Sequence, residues 1–525
     1  LIPVREVRFT RCEYGEWNRI ADEEGWIPYS PDTGFGGPDY RAIFRMTIEP
    51  PRQWIGKRVR LKVESGDQDI WNYNNPQFLV FFDTEVACGL DVHHTEVDLP
   101  DKERIDVALY GYVSSEKPDT FLDIGYYLVN EELEALLSHL TLAYETALTV
   151  ESFSEAYLVL STGCVEAIKA IDFTSREAAC SPTGCARARE KLASILSSHR
   201  QCSQISIAVT GHSHIDMAWL WTLEQTREKA LRSYANVLSL MERYPDYVFM
   251  SSQMQLLAFV EEEMPSLYAR ICRRIEEGRW EVEGGMWIES DVILPSGESL
   301  VRQIYWGKRW MRERYGKESE VLWLPDCFGF PATLPQIMAG TGLRYFVTTK
   351  LGWSEQNKFP HDVFTWKGLD GSGVLAYLVS TTDYQKLGTY PKRKSGETTY
   401  NGRMNPSQLL GTWQRFQDQE ITTSYLHLYG FGDGGGGPTE EMLTRHQILK
   451  DGYPGLPRTY STTVHGFLKQ LEEQHLPLPT WEGELYLEYH RGTYTTMAEI
   501  KRLNRRCEQQ AFRSEFFATL AWALL

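Results

Sequence analysis

Ile205-Ser206-Ile207-Ala208-Val209-Thr210-Gly211-His212-Ser213-His214-Ile215-Asp216 is the stretch on which the fold turns. An apolar, β-branched run from Ile205 to Thr210 reads as a buried strand, and it ends in two histidines and a carboxylate. From here on, short runs of this kind alternate with long amphipathic segments, the pattern of βα units around a parallel sheet. Strands are predicted at Ile205–Thr210, Tyr247–Ser251, Trp280–Gly284, Val321–Leu324, Tyr345–Thr349, Val374–Val379 and Tyr425–Tyr429. Nearly every one is followed by polar, glycine or aromatic residues, and ligands bind beyond the carboxyl ends of such strands. An α/β barrel or a doubly wound sheet is implied.

Upstream, from Arg5 to about Tyr127, short alternating stretches separated by Pro, Gly and Asp clusters predict a β-sandwich. Asn130–Leu148, Glu151–Ala170 and Ala186–Ser198 carry apolar residues at helical spacing, with Thr174–Cys185 as the expected flexible point. After Ser461 the pattern turns helical again, ending in a long helix from about Thr496. The chain thus divides into a sandwich over 1–128, a helical connector over 129–202, an α/β unit over 203–458 and a helical region over 459–525.

A length of 525 residues suits several folding units, and 42% hydrophobic with 24% charged residues is the balance of a soluble globular protein. Lys plus Arg number 54 against 71 Asp plus Glu, a formal charge of −17. Such a surface repels polyanions, so neither nucleic acid nor an anionic membrane is expected as a partner. No apolar run reaches the roughly 18 residues of a membrane span. The nine cysteines are odd in number and scattered, which argues against a disulfide framework and for a reducing compartment. The cytoplasm is therefore the expected location, although Leu1 in place of Met leaves room for an upstream start and targeting signal.

Four stretches carry chemistry. In the first, His212, His214 and Asp216 alternate along an extended segment and can share one face, and imidazole with carboxylate suits zinc. In Leu322-Trp323-Leu324-Pro325-Asp326-Cys327-Phe328-Gly329-Phe330 an apolar strand delivers one carboxylate, which either caps the following helix or meets a divalent cation. Gly430-Phe431-Gly432-Asp433-Gly434-Gly435 fits the Gly-x-Gly-x-x-Gly dinucleotide pattern, but Asp433, Glu440 and Glu441 would repel a pyrophosphate. A backbone that approaches a ligand closely while presenting one carboxylate is the better account. In Glu488-Tyr489-His490-Arg491-Gly492-Thr493-Tyr494-Thr495, His490 reads either as a core residue or as a further metal ligand.

In order, His-Ser-His-Ile-Asp, Leu-Pro-Asp-Cys-Phe-Gly, Gly-Asp-Gly-Gly-Gly-Gly-Pro-Thr and Tyr-His-Arg-Gly-Thr-Tyr-Thr resemble the α-mannosidases of glycoside hydrolase family 38, in the bacterial and cytosolic or vacuolar branch. The resemblance implies a seven-stranded (β/α) barrel followed by a helical bundle and large β domains. The chain ends at Leu525 inside the expected bundle, so those β domains are expected to be absent and independent activity of this piece is open. It further implies one zinc ion on His214, Asp216, Asp326 and His490, with Asp326 also the nucleophile and Asp433 the general acid/base. Trp219 would floor the mannose ring, and Phe328, Trp287 and Arg491 would line the pocket. Arg491 departs from the acidic residue that Golgi-type members carry after the last histidine. The implied reaction is retaining removal of terminal α-D-mannose from oligosaccharides or N-glycan fragments. Glu289 and Asp291 are the alternative acids.

Two rival readings are a zinc amidohydrolase or deacetylase, which would need further histidines on later strands, and a carbohydrate-binding protein without catalysis. For the former only His427 on a strand and His361 in a loop are on offer. Linkage preference and homo-oligomerisation are left open by the sequence.

Overall fold

The computed structural model describes residues 1–525 apart from 23, 31–34, 38, 66–75, 114–120, 200–203 and 387–396; the last residues of the expected connector thus fall outside the described residues. Two antiparallel sheets form the N-terminal part. One runs Ile27–Pro28, Val7–Arg11, Tyr40–Ile48, Ile105–Val113, Gln77–Phe82, Glu85–Leu90, and the other Ile2–Pro3, Asp123–Leu128, Val59–Glu64, Glu96–Asp98. Side chains alternate across a strand, and here the alternation divides two cores. Ala42, Phe44, Val80 and Leu109 point into the space between the sheets, while Ile43, Leu79, Phe81 and Tyr110 join the core of the α/β part.

Helices Glu131–Thr149, Glu155–Lys169 and Pro182–Ser197 follow, each opened by a side chain (Asn130, Ser154, Ser181) that accepts a backbone N–H of the first turn. The stretch expected to be flexible is instead built into this group. It holds the short helix Arg176–Ala179, and the next helix starts at Pro182, a residue whose missing N–H costs nothing at a first turn.

Each of the seven apolar runs is a strand, and neighbours pair in parallel. The order is Ser424–Tyr429, Ser206–His212, Phe249–Ser251, Trp280–Val282, then through a Gly284 to Leu322 bridge Val321–Trp323, Tyr345–Thr348 and Gly373–Leu378. The result is an α/β fold with a half-barrel of parallel strands. Across its open side, the Leu426 N–H donates to the Tyr377 hydroxyl at 2.8 Å. An unforeseen strand, Val363–Lys367, runs antiparallel beside Gly373–Leu378.

The helical expectation after 459 needs correcting. Arg458–Ser461 pairs with the Ser206–His212 strand, Thr480–Glu482 pairs with Val363–Lys367, and Leu485 and Leu487 are fully buried. Helix Val464–Glu473 buries Val464, Phe467, Leu468 and Leu471 in the α/β core. In the extended stretch Trp481–Leu487, spacing by two places the apolar side chains on one face, which a helix would scatter. Only Ala498–Leu524 stands as a long helix, held to helix Gly297–Tyr315 by Glu508 with Ser296 and Ser299 and by Arg302 with Glu515.

Helix Leu223–Arg243 is wedged between sandwich and half-barrel, so that polar residues such as Glu228, Lys229 and Arg232 are buried. Glu228 lies 2.7 Å from Arg41 of the sandwich and accepts from Tyr110 at 2.7 Å. Removing one partner strands a desolvated charge. Arg41→Met is therefore expected to lower the unfolding free energy by about 3–5 kcal/mol, to be read in a denaturant titration.

Candidate active site

His214 and Asp216 follow strand Ser206–His212, Asp326 follows Val321–Trp323, and Asp433 follows Ser424–Tyr429. All four thus sit beyond carboxyl ends, where parallel strands open toward ligands. One ligand atom from each lies within 4.8 Å of the others. His214 Nε2 is 3.4 Å from Asp216 Oδ1 and 3.7 Å from Asp326 Oδ2, and makes no hydrogen bond among the described residues. Two ligands at about 2.0–2.2 Å from one tetrahedral ion stand roughly 3.3–3.6 Å apart, so this spacing fits a shared cation. Burial opposes a charge on His214, but Glu289 and Asp216 outweigh it and pull the ring toward its protonated form. A buried orphaned nitrogen among carboxylates is the donor set a metal ion satisfies.

His212 does not join them. Its ring faces Trp323 at 5.0 Å, and burial pushes its basicity down to about 3. The strand ends at His212, so the alternation does not carry across to His214, and only two of the three residues expected on one face meet.

The carboxylates are held differently. Asp433 Oδ1 accepts from the Tyr400 hydroxyl at 2.6 Å and Oδ2 from the Asn401 amide at 2.9 Å, while Asn401 Oδ1 takes the Gly432 N–H at 2.8 Å. Burial raises its pKa above the usual carboxylate range, against the pull of His214 and Tyr400, toward what a proton donor needs. Asp326 faces His214 with Oδ2 and pairs through Oδ1 with the ammonium of Lys350, which is buried over the Trp353 ring at 3.8 Å. The two alternative acids are engaged elsewhere. Glu289 holds His214 Nδ1 at 2.7 Å and accepts from the Ser252 hydroxyl, the partner arrangement that orients a metal-binding histidine. Asp291 accepts the N–H groups of Ile293 and Leu294 in its own turn.

Lys350, Tyr400, Asn401 and the role of Glu289 escaped the sequence reading. A polar residue just beyond the predicted strand Tyr345–Thr349 was the only signal for Lys350, and Tyr400 and Asn401 lie in a loop without pattern.

The other expected residues are spread more widely. The His490 ring packs on Phe328 at 4.8 Å and near Trp353 at 5.8 Å, outside the group of four, though close enough to sense the Asp326 charge. Asp433 and His490 both have positive φ, 50° and 57°, a conformation that non-glycine residues keep where surroundings enforce it. Phe328 lies under the Lys350 ammonium at 5.3 Å. Trp219 is half exposed and meets Trp221 edge-on. Trp287 turns toward Gln255 and Trp310, and Arg491 lies between the rings of Tyr486 and Tyr494. His427 bonds to Arg403 O and Thr381, and His361 to Asp418, so neither adds a histidine to the group.

The family model described as glycosyl hydrolases family 38 N-terminal domain matches residues 204–484. Alpha-mannosidase G of Dictyostelium discoideum is 40% identical over 323 residues, 62% of this chain and 28% of that protein. Alpha-mannosidase 2C1 of Homo sapiens is 42% identical over 321 residues, 61% of this chain and 29% of that protein. Alpha-mannosidase 2C1 of Mus musculus is 32% identical over 527 residues, 96% of this chain and 48% of that protein. The chain therefore spans about half, or less, of the length of these relatives.

Proposed function

The chain belongs to glycosyl hydrolase family 38, and from that premise we propose that it removes terminal non-reducing α-D-mannose from oligosaccharides with retention of configuration. The observation that carries the reading is the pair Asp326 and Asp433, with oxygens within 4.8 Å of each other beside the His214–Asp216 pair. Retaining glycosidases hold their two carboxyl groups about 5–5.5 Å apart, too close for an interposed water.

In this reading Asp326 attacks the anomeric carbon, and Lys350 pairs with its carboxylate and holds it in place. Asp433, held by Tyr400 and Asn401, gives its proton to the glycosidic oxygen and later takes one from water. His214, Asp216, Asp326 and His490 would hold one zinc ion, which when bound supplies a Lewis acid for the vicinal hydroxyls of mannose. Asp433 is not counted as a ligand, because both its oxygens already have donors. Trp219, Phe328, Trp287 and Arg491 would contact the sugar or its surroundings.

The catalytic unit is proposed as a (β/α)7 barrel, closed beside Tyr377, that reaches from about 204 to 487 and takes in the strands after 458. A cytoplasmic location is supported by the eight described cysteines, all free thiols. No helix of the described residues is long and apolar enough to cross a membrane.

The experiment is metal analysis joined to an aryl α-mannoside assay. About one zinc per chain and hydrolysis lost on chelation are expected, with zinc binding weakened in His490→Ala. Unchanged zinc content and affinity in that variant would remove His490 from the site, and hydrolysis indifferent to metal removal would remove zinc from the reaction.

A further inference from the structure

The sandwich reaches the glycine loop that carries Asp433. Between Glu85–Leu90 and Glu96–Asp98 the chain crosses from one sheet to the other, and this crossover, Asp91–His94, presses on the loop. A Cβ on Gly436 would come within 2.9 Å of Asp91 Oδ2 and 3.0 Å of His94 Cε1, and Gly436 has φ 100°, so only glycine fits there.

Three contacts grip the loop on both sides of Asp433. The His93 ring stacks on Phe431, with centroids 3.5 Å apart and planes 7° apart. His94 Nε2 lies 3.0 Å from Pro438 O, and His94 Nδ1 3.0 Å from Asp91 Oδ1. Both ring nitrogens thus face an oxygen, one on the crossover and one on the loop. The Asp91 carboxylate, which also takes the N–H groups of His93 and His94, lies 3.6 Å from the Arg232 guanidinium. Arg232 in turn donates to Gly434 O at 2.6 Å, next to the acid itself. Asp91 and His94 are both nearly buried, so these are fixed contacts rather than solvent-exposed ones.

We propose that the Asp91–His94 crossover is a positioning device for the acid/base: it fixes the 431–438 loop so that Asp433 meets the leaving oxygen, which makes the sandwich a working part of the active site. This rests on the reading of Asp433 as the acid. Misplacement of a catalytic group by ~1 Å costs about 100-fold, and the penalty falls on the step that needs the proton.

The test compares His94→Ala, His93→Ala and Asp433→Ala in the full-length protein, on a mannobiose and on a dinitrophenyl α-mannoside whose leaving group needs no proton. Loss of kcat/KM on mannobiose is expected to exceed the loss on the aryl substrate by roughly 10- to 100-fold in both histidine variants. Amide exchange should rise over 431–437 and stay unchanged over 211–216. A merely structural role would lower both rates together. Equal losses on the two substrates in both histidine variants, or unaltered exchange in the loop, overturn the proposal while Asp433→Ala still discriminates. If Asp433→Ala itself does not discriminate, the acid assignment falls, and the clamp with it. Should His94→Ala not fold, His93→Ala, which removes only the stack on Phe431, decides.

Discussion

Asp433→Ala is expected to slow cleavage of a mannobiose by on the order of 10²- to 10⁴-fold while sparing a dinitrophenyl α-mannoside in its first step, because only the former leaving group needs protonation. Azide should restore turnover in this variant. It needs no general base, enters the space left by the carboxylate, and attacks the glycosyl ester from the face water would use, so the product is α-mannosyl azide. The geometry leaves little room for a substitute. Tyr400 and Asn401 hold Asp433, while Glu289 is spent on His214 and Asp291 on its own turn. Steady-state kinetics on the two substrates check this, and equal losses on both would point away from Asp433.

Asp326→Asn has the larger expected effect, a fall in kcat/KM on the order of 10⁴-fold or more, the scale seen when a nucleophile is lost from a covalent mechanism. Two further consequences follow from its surroundings. One negative charge leaves the His214–Asp216–Asp326 group, so metal affinity falls. Lys350 also loses its counter-charge while buried, which costs about 3–5 kcal/mol of stability, so the melting midpoint should drop together with activity. A cation at the site favours the ionised Asp326 but draws electron density from it. The structure divides these demands between the two oxygens, with Oδ2 toward His214 and Oδ1 toward Lys350.

The seven parallel strands were legible because a strand buried on both faces is written as an unbroken apolar run, and the carboxylates were legible because they end such runs. What stayed hidden depends on contacts distant in sequence. Lys229, Arg232 and Asn236 on helix Leu223–Arg243 are polar residues buried under the sandwich, where Arg232 and Asn236 hold the carbonyls of Gly434 and Gly436. The glycine run itself gave a false dinucleotide signal. Its glycines answer to steric pressure from Asn401, Ser233, Arg232 and Asp91, none of which is near it in the chain. The strands at Arg458–Ser461 and Thr480–Glu482 were missed because each is short and its partner strand lies far away in sequence.

The most direct test of the account is to trap the intermediate. A 5-fluoro-mannosyl fluoride reacts to an ester but turns over slowly, since the fluorine destabilises the oxocarbenium-like transition state of both steps. Digestion and mass spectrometry should then place one sugar on the peptide spanning Val321 to Phe330, at Asp326, and proton NMR of normal turnover should show α-mannose formed first. A label on Asp433 or on any other residue, or β-mannose as the first product, would contradict it.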